Sequence, residues 1–496
     1  MVYYLGVLIP LLGFILQAYP RLINKSFGVD VWTRLLEIDA IRNANHRVPD
    51  KVEKGFIIEG HFDYPPVFPF IFSFISRKAI IRFQGYISPL IDSFQTFFVF
   101  VFCYQITNSL AMSLLAQLIY ILTPMIAVEN SYLTPRSLGY LTFTLAFYPL
   151  ILNQLNPSNL TLLSGVIFAV LLFLTHRFAL QSYVILCLLM GALTGSLHFF
   201  AIPVVSFILA VIITKGYYLR VLKGHLSNIY FWVINYKYRF AHQIYGLRES
   251  KKNDWVAVVY KLLSEFSPIF LLFTNVWAAS AFVFIYLYIG TSIFQDSPIL
   301  VYFAFWVAFC YILGAIILRF KVLIPIGEGQ RYLEMATLPS AILTSYLAFY
   351  FYGIYGTIVI FLGGFILASN LALILYIQIK GVINDKNRSL TPELEKMYSF
   401  INRLPEKRPR IMCIPHQITT MTVFHTKADV LVNADNPGLM KLSDFYPILN
   451  VDLQTLQKKY QLDYILLREN FAKEKDLPIS KTQTIFTSGD IQLLKF

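Results

Sequence analysis

Long runs of apolar residues alternate with polar segments along most of the chain. A helix needs about 20 mainly apolar residues to cross the hydrocarbon core of a bilayer, where it satisfies its own backbone hydrogen bonds. The apolar runs therefore predict about eleven membrane-spanning helices. They lie near residues 3–19, 83–104, 109–127, 136–152, 160–174, 178–194, 197–214, 267–290, 299–319, 338–352 and 354–379.

The pattern changes after Lys380, where a polar, helix-forming stretch begins. It is followed by the strand-like runs RIMCIP, ADVLVNA, DYILLRE and TIFTSGDIQLLKF, with the helical stretch DLQTLQKKY among them. The predicted fold class is therefore an all-α polytopic membrane domain over residues 1–380, followed by a small α/β soluble domain over residues 381–496.

The polar loops fall on one face of the predicted membrane domain. With about eleven spans, the long loops 20–82 and 215–266 lie on the same side as the C-terminal domain, together with the shorter loops 128–135, 175–177 and 320–337. The opposite face receives short, almost uncharged turns such as QITNS and QDSP. The charged loops are therefore the predicted place for a functional site.

The composition agrees with a membrane protein and narrows its partners. Hydrophobic residues make up 57% of the chain and charged residues only 14%, against about 25% charged residues in soluble globular chains. The net charge of +13 favours membrane lipids and phosphate groups as partners. Nucleic acid is not an expected partner, because the sequence lacks the aromatic and basic pattern of an RNA-binding module. The four cysteines have neither zinc-ligand spacing nor the pattern of a disulfide framework.

The first long loop contains VDVWTRLLEIDAIR, whose apolar stripe predicts a helix lying along the membrane surface. Asp30 is interpreted either as the cap of this helix or as a catalytic carboxylate, and Trp32 as an interfacial anchor. Farther along, EGHFDYPPVFPF places His61 and Asp63 in a His-x-Asp pair. Such a pair is able to bind a divalent metal, although it is more often ordinary loop chemistry.

Two shorter loops carry charged residues next to predicted spans. VENSYLTPRSLGYL contains Glu129 and Arg136, and LLFLTHRFALQ contains His176 and Arg177. Each arginine is interpreted either as a residue that extends from a helix end to the membrane interface or as a phosphate ligand. Ionisable residues at membrane depth are costly and often functional, but the cost falls if these turns lie at the interface.

The loop RFKVLIPIGEGQRYLEMATLP has the strongest pattern for anion binding. Arg331 and Glu334 have the spacing of an ion pair on a helix, and Glu328 lies between Gly327 and Gly329. The glycines are expected to let a ligand approach the backbone, and an arginine offers the paired donors that match phosphate. The sequence has no Walker motif, serine-protease triad, His-Glu-x-x-His motif or nucleophile elbow.

Together these segments resemble the GT-C superfamily of polytopic glycosyltransferases. The resemblance rests on FGVDVWTRL, DYPPVFPF, SYLTPRSLG, LTHRF and GEGQRYLE, in this order and on one face, and on an α/β tail ending in DYILLRE and GDIQLLKF. The tail lacks the tryptophan-tryptophan-aspartate triplet of oligosaccharyltransferases. In layout the chain is similar to branches that transfer monosaccharides, such as the protein O-mannosyltransferase-like and lipid A aminoarabinose transferase-like enzymes.

The resemblance implies an integral-membrane enzyme that moves a sugar from a polyprenyl-phosphate-linked donor to an acceptor hydroxyl of a glycan, lipid or protein. It implies that Asp30 is the catalytic base. The expected ligands of the donor phosphate are Arg331, Arg136 and Arg177, and the further site candidates are Glu129, His176, Glu328 and Glu334. A divalent ion such as Mg²⁺ or Mn²⁺, held by His61 and Asp63, is a candidate cofactor.

The resemblance also places the polar loops and the C-terminal domain on the extracytoplasmic face. Their basic residues alone would favour the cytoplasmic side, but binding of an anionic lipid donor gives these residues another role. The alternatives are a transporter or flippase of lipid-linked sugars and a non-catalytic membrane scaffold. A transporter is expected to have ionisable residues at mid-membrane and repeated halves, and the sequence has few of the former and no internal repeat.

Overall fold

The structure is a computed structural model that describes residues 2–52, 55–239, 241–247, 267–291, 297–433, 443–479 and 482–496. Internal packing divides the chain into two units. The first comprises Met1–Ile23, Phe83–Leu219 and Lys252–Ile383, and the second comprises Asn24–Arg82, Arg220–Lys251 and Asn384–Phe496. The predicted division of the chain at residue 380 stays a prediction, and part of the loop 215–266 lies outside the described residues.

Helices make up most of the part of the chain that the structure describes. They are α1 (Val2–Leu5), α2 (Leu8–Ile23), α3 (Val29–Asn43), α4 (Val67–Ser73), α5 (Arg77–Thr107), α6 (Leu110–Ile121), α7 (Pro124–Glu129), α8 (Arg136–Leu155), α9 (Asn159–Phe173), α10 (Arg177–Thr194), α11 (Leu197–Ile213), α12 (Tyr217–Asn235), α13 (Pro268–Thr274), α14 (Ala279–Thr291), α15 (Pro298–Arg319), α16 (Gly329–Glu334), α17 (Thr337–Tyr355), α18 (Thr357–Gln378), α19 (Pro392–Arg403), α20 (Thr419–His425) and α21 (Leu453–Tyr460).

Each predicted apolar segment contains helix. In the part of the chain that the structure describes, six helices are long and apolar enough to cross a membrane, or up to eight if each of two bent pairs is one span. The predicted segment 109–127 is interrupted, because α6 ends at Ile121 and α7 begins at Pro124, whose ring suits the first position of a helix. The all-helical membrane architecture is confirmed, and the number of helices that cross the bilayer stays a prediction.

An aromatic cluster lies in the core of the first unit. The ring of Trp306 on α15 lies 4.8 Å from that of Phe147 and 5.7 Å from that of Phe143, both on α8, measured between ring centroids. Tyr183 of α10 packs edge-on against the same two phenylalanines. Aromatic rings bury large apolar areas, so this cluster fixes α8 against α10 and α15. The position of α8 matters because its first turn carries a predicted site residue.

The second unit contains a five-stranded mixed sheet in the order β2-β1-β3-β5-β4. Its strands are β1 (Arg410–Ile414), β2 (Asp429–Val430), β3 (Tyr464–Arg468), β4 (Gln483–Ser488) and β5 (Ile491–Lys495). β1 runs parallel to β2 and β3, whereas β5 pairs antiparallel with β3 and β4. Every residue of the central strand β3 is buried, as expected where both faces of a sheet are covered. The predicted α/β character of the C-terminal region is confirmed.

The first long loop packs against the edge of this sheet. The backbone amide of Ile57 donates to the carbonyl of Val430 at 2.8 Å, and that of Ile58 donates to the carbonyl of Leu431 at 2.9 Å. These bonds cover the edge beside β2, where backbone groups would otherwise be open to pairing with another chain. The loop and the C-terminal region share one folded unit, and they therefore lie on the same side of a membrane that the chain spans.

Helix α3 forms as predicted, but its apolar stripe is buried against protein and not open to a membrane surface. Val31, Leu35 and Ile38 are fully buried, and Trp32 is only 4% exposed. The indole ring of Trp32 lies 5.2 Å from the ring of Phe424, a residue of α20 in the C-terminal region. The prediction of an interfacial tryptophan is therefore wrong, because α20 covers the side chain that would otherwise reach the membrane interface.

This packing predicts that Lys25 and Asn470, which are both exposed, face the same side of the membrane. Single Lys25→Cys and Asn470→Cys variants should react alike with a membrane-impermeant maleimide in intact cells. The native cysteines are buried and should give little background. Labelling of both sites supports the extracytoplasmic orientation and protection of both reverses it, whereas labelling of only one contradicts the shared unit.

Candidate functional site

Charged residues predicted from three loops lie at the beginnings of three helices in the first unit. Arg136 is the first residue of α8, Arg177 is the first residue of α10, and Glu328 immediately precedes α16. The first backbone amides of a helix have no partner within it and carry partial positive charge. Helix starts and arginines together make this part of the unit suited to anions.

Arg136 and Glu129 form an ion pair. The hydroxyl of Tyr132 also donates to Glu129, at 3.0 Å from Oε2. The Arg136 side chain is 10% exposed and that of Glu129 is 31% exposed, so the pair is partly shielded from water. The structure thus brings together two residues that the sequence had placed in one loop, and it adds a tyrosine to them.

Glu334 is buried and is paired differently from the prediction. The hydroxyl of Tyr140, one helical turn after Arg136 in α8, donates to Glu334 Oε2 at 2.6 Å. The predicted Arg331–Glu334 ion pair does not form, since Arg331 instead donates from Nε to Glu328 Oε2 at 3.1 Å. Arg331 and Glu334 are three residues apart but lie in different environments, because Glu334 is only 5% exposed and contacts α8 through Tyr140.

Burial raises the pKa of the Glu334 carboxyl above its ordinary value, while the nearby guanidinium groups of Arg136 and Arg331 act in the opposite direction. We assign the net direction to burial, because Glu334 is shielded from water and its hydrogen bond comes from a neutral tyrosine. A protonated Glu334 leaves the two arginines less compensated and makes the cluster more attractive to an anion.

The start of α10 packs against this cluster. His176 caps the helix, with Nδ1 accepting from the amide of Ala179 at 3.1 Å, and it packs directly against Gly139 of α8. Phe178 lies beneath Arg331, with the guanidinium carbon 6.0 Å from the ring centroid. His176 therefore has a structural role as a cap. Arg177 interacts electrostatically with Tyr218.

The glycines of GEGQ serve packing. Gly327 has a φ of 125°, and a Cβ atom there would lie 2.2 Å from the ring of Phe178. A Cβ atom on Gly329 would lie 2.3 Å from the carbonyl oxygen of Gly314 in α15. The prediction that these glycines admit a ligand is not supported, because protein atoms already occupy the space next to them.

The candidate base, Asp30, lies in the second unit at the second position of α3. Gly28, with a φ of 115°, is the N-cap, so the interpretation of Asp30 as the cap is wrong. Asp30 is half-buried, and no hydrogen bond or ion pair from the described residues reaches its carboxylate. By contrast, Glu37 is bound to Arg34 at 2.6 Å, and Asp39 pairs with arginines. Asp30 is thus an accessible carboxylate.

The predicted metal ligands have different environments. His61 is exposed, whereas Asp63 is buried beside Gly224 of α12. Among the described residues, no group of three or more His, Cys, Asp and Glu side chains is placed to hold a metal ion. The role of His61, Asp63 and a divalent ion stays a prediction.

Sequence reasoning missed Tyr140 and Tyr132. Both contact a predicted carboxylate, and Tyr140 lies four residues after Arg136, the spacing that places two side chains on one helix face. The spacing of Arg136 and Tyr140 could have been recognised in the sequence. The contact between Tyr140 and Glu334 could not, because Glu334 belongs to a distant helix.

Neither a protein-family model nor a curated protein sequence matches the chain. Among solved structures, it is similar to the archaeal oligosaccharyltransferase AglB from Archaeoglobus fulgidus, in complex with an inhibitory peptide and a dolichol-phosphate. The TM-score is 0.56 at 10% identity, over 94% of this chain and 69% of that chain. A second similarity is to ArnT from Cupriavidus metallidurans bound to undecaprenyl phosphate, with a TM-score of 0.41 at 12% identity over 98% of this chain and 97% of that chain.

The likeness to this oligosaccharyltransferase extends over nearly the whole of this chain. The chain therefore shares the fold of a solved membrane oligosaccharyltransferase, and the predicted fold class of a helical membrane domain with a small α/β domain is confirmed. At 10% identity the likeness concerns the fold and not the activity.

The raised pKa of Glu334 predicts a specific pH dependence. A carboxyl whose pKa is raised on folding contributes most to stability at low pH, and this contribution is lost as pH rises through the folded-state pKa. Glu334→Gln keeps the shape and cannot ionise. Wild type should therefore lose thermal stability relative to the variant as pH rises above about 4.3, the ordinary pKa of a glutamate. If wild type instead gained thermal stability relative to the variant as pH rises, Glu334 would be stabilised as an anion.

Proposed function

We propose that this protein is an integral-membrane glycosyltransferase that moves a sugar from a polyprenyl-phosphate-linked donor to an acceptor hydroxyl on the extracytoplasmic face. The observation that carries the proposal is the cluster of Arg136, Arg331 and buried Glu334 in a chain with the fold of a membrane oligosaccharyltransferase. The AglB structure contains a dolichol-phosphate, which supports a lipid phosphate as the anion bound by this chain.

The reaction is a displacement at the anomeric carbon of the donor sugar. The acceptor oxygen forms a bond to that carbon while the bond from the carbon to the phosphate oxygen breaks. The electron pair of the broken bond leaves with the polyprenyl phosphate, and the hydroxyl proton passes to the carboxylate of Asp30. General-base catalysis of this kind contributes about 10²–10⁴-fold in rate.

The arginine cluster suits the leaving group. A phosphate that departs gains negative charge, and arginines in a poorly hydrated setting stabilise such charge more strongly than in water. Arg136 and Arg331 are each paired with a glutamate in the protein. A phosphate with more negative charge than a carboxylate is expected to compete for these donors, and the forked guanidinium group matches its oxygens.

Arg331→Lys tests the phosphate site, because it keeps the charge and removes the fork. We expect the Kd for a polyprenyl monophosphate, measured by native mass spectrometry of the purified protein, to rise about tenfold, equivalent to about 1.4 kcal/mol. The matched control is Arg319→Lys, an exposed arginine at the end of α15, which should bind as wild type does. Equal affinity of the Arg331 variant and wild type would remove Arg331 from the phosphate site.

Asp30→Asn tests the base, because the amide has nearly the same shape and cannot accept the proton. Transfer of radiolabelled sugar from a polyprenyl-phosphate donor should fall by about 10²–10⁴-fold, with little change in thermal stability. The matched control is Asp50→Asn in the same segment. Asp50 is exposed and paired with Arg220, and its variant should transfer sugar normally.

Near-normal transfer by the Asp30 variant would exclude this residue as the base and direct attention to Asp39, Asp63 or Glu129. A wild-type protein that binds the donor and moves it across a bilayer without cleaving it would instead favour the transporter alternative.

A further inference from the structure

Helix α12 begins where a strongly apolar helix ends. α11 ends at Ile213, and α12 begins at Tyr217 after a turn in which Lys215 has a φ of 50° and Gly216 a φ of 84°. The chain bends by 120° between these helices. If α11 crosses the bilayer, α12 starts at the membrane surface and does not continue along the same axis. Its position in the sequence therefore places it where lipid headgroups are found.

One face of α12 is packed inside the second unit, to which residues 220–235 of this helix belong. Phe231 is fully buried, and its ring is stacked on that of Tyr446, 6.2 Å away between centroids. A Cβ atom on Gly224 would lie 1.9 Å from Asp63 Oδ2, so the helix and the first long loop are in close contact there. This face fixes the helix in place.

The opposite face exposes a stripe of large apolar side chains. Leu219, Leu226, Tyr230 and Val233 follow one another at spacings of seven, four and three residues, which places them along one side of a helix. They are between 50% and 57% exposed, and Ile234 beside them is 51% exposed. A contiguous apolar stripe of this kind is uncommon on a surface that faces water and marks an interaction site.

The charged residues of the segment that contains α12 are all basic. Residues 215–247 contain five lysines and arginines and no acidic residue. Arg220 pairs with Asp50, and Arg239 lies over the ring of Trp232, 4.8 Å from its centroid. Lys215, Lys223 and Lys237 are exposed. Lys223 belongs to the same side of α12 as the stripe, and its long side chain is able to extend from the apolar layer to a headgroup phosphate.

We propose that α12 is an interfacial helix that lays the stripe Leu219, Leu226, Tyr230, Val233 and Ile234 into the bilayer surface and uses Lys223 and Lys237 to favour anionic phospholipids. Apolar burial and cationic attraction are the two contributions by which helices of this kind bind membranes. Tyrosine and tryptophan at 230 and 232 are residue types enriched at this depth. The proposal concerns membrane attachment of the second unit and does not depend on the glycosyltransferase activity.

The depth of α12 in the membrane is tested with the whole protein in phospholipid nanodiscs. A fluorophore is attached to Leu226→Cys or, as the matched control, to Asn470→Cys, which is exposed in the second unit. The native cysteines are buried and should remain unlabelled. A nitroxide at headgroup depth should quench the probe at residue 226 at least about twofold more than the probe at residue 470. Equal, weak quenching at both sites would show that the stripe does not contact lipid and would overturn the proposal.

The preference of α12 for anionic lipids is tested with the nitroxide attached to either an anionic or a zwitterionic lipid, at equal mole fraction. The anionic lipid should quench the probe at residue 226 more strongly, and Lys223→Gln with Lys237→Gln should abolish this difference. Equal quenching by both lipids without these substitutions would overturn the role of the lysines. An unquenched probe at residue 226, together with disulfide-linked dimers of the unlabelled Leu226→Cys variant, would assign the stripe to a second copy of the chain and would also overturn the proposal.

Discussion

The structure depends on one constraint, which is that the interior of a bilayer offers no hydrogen bonds to the chain. Peptide groups in apolar surroundings must pair with each other, so the apolar runs form helices, and charged side chains collect where these helices begin and end. Arg136, Arg177 and Glu328 all lie at helix starts for this reason. The candidate phosphate ligands are therefore a consequence of how the helices are packed.

Within the first unit, aromatic packing positions this chemistry. Trp306 is packed against Phe143 and Phe147, and this contact holds α8, whose first turn carries Arg136 and then Tyr140. The tyrosine in turn donates to the carboxyl of Glu334, whose pKa is raised by burial. In the proposed reaction, Arg136 and Arg331, which are partly shielded from water and each paired with a glutamate, stabilise the leaving phosphate more strongly than they would in open water.

The second unit shows how segments that are far apart in sequence become one folded body. The first long loop supplies hydrogen bonds to the edge of the sheet, α3 buries Trp32 against α20, and α12 packs Phe231 on Tyr446. The unit is therefore larger than a C-terminal tail. Its candidate base lies on a helix whose other sides are buried, so the backbone around Asp30 is held by packing while the carboxylate remains half-exposed.

The sequence by itself determined the helical membrane architecture, the α/β character of the C-terminal region and the identity of most charged candidates. Hydrophobic periodicity and length carry the architecture locally, whereas the motifs of the polar loops suggested Arg136, Arg331 and Asp30 as candidates. The partners of these residues were decided only by the tertiary structure. Arg331 pairs with Glu328, Glu334 is bound by Tyr140, and Trp32 is buried under α20. Spacing along one helix limits which neighbours are possible, but the choice among them depends on burial and on side chains from distant segments, which local patterns do not encode.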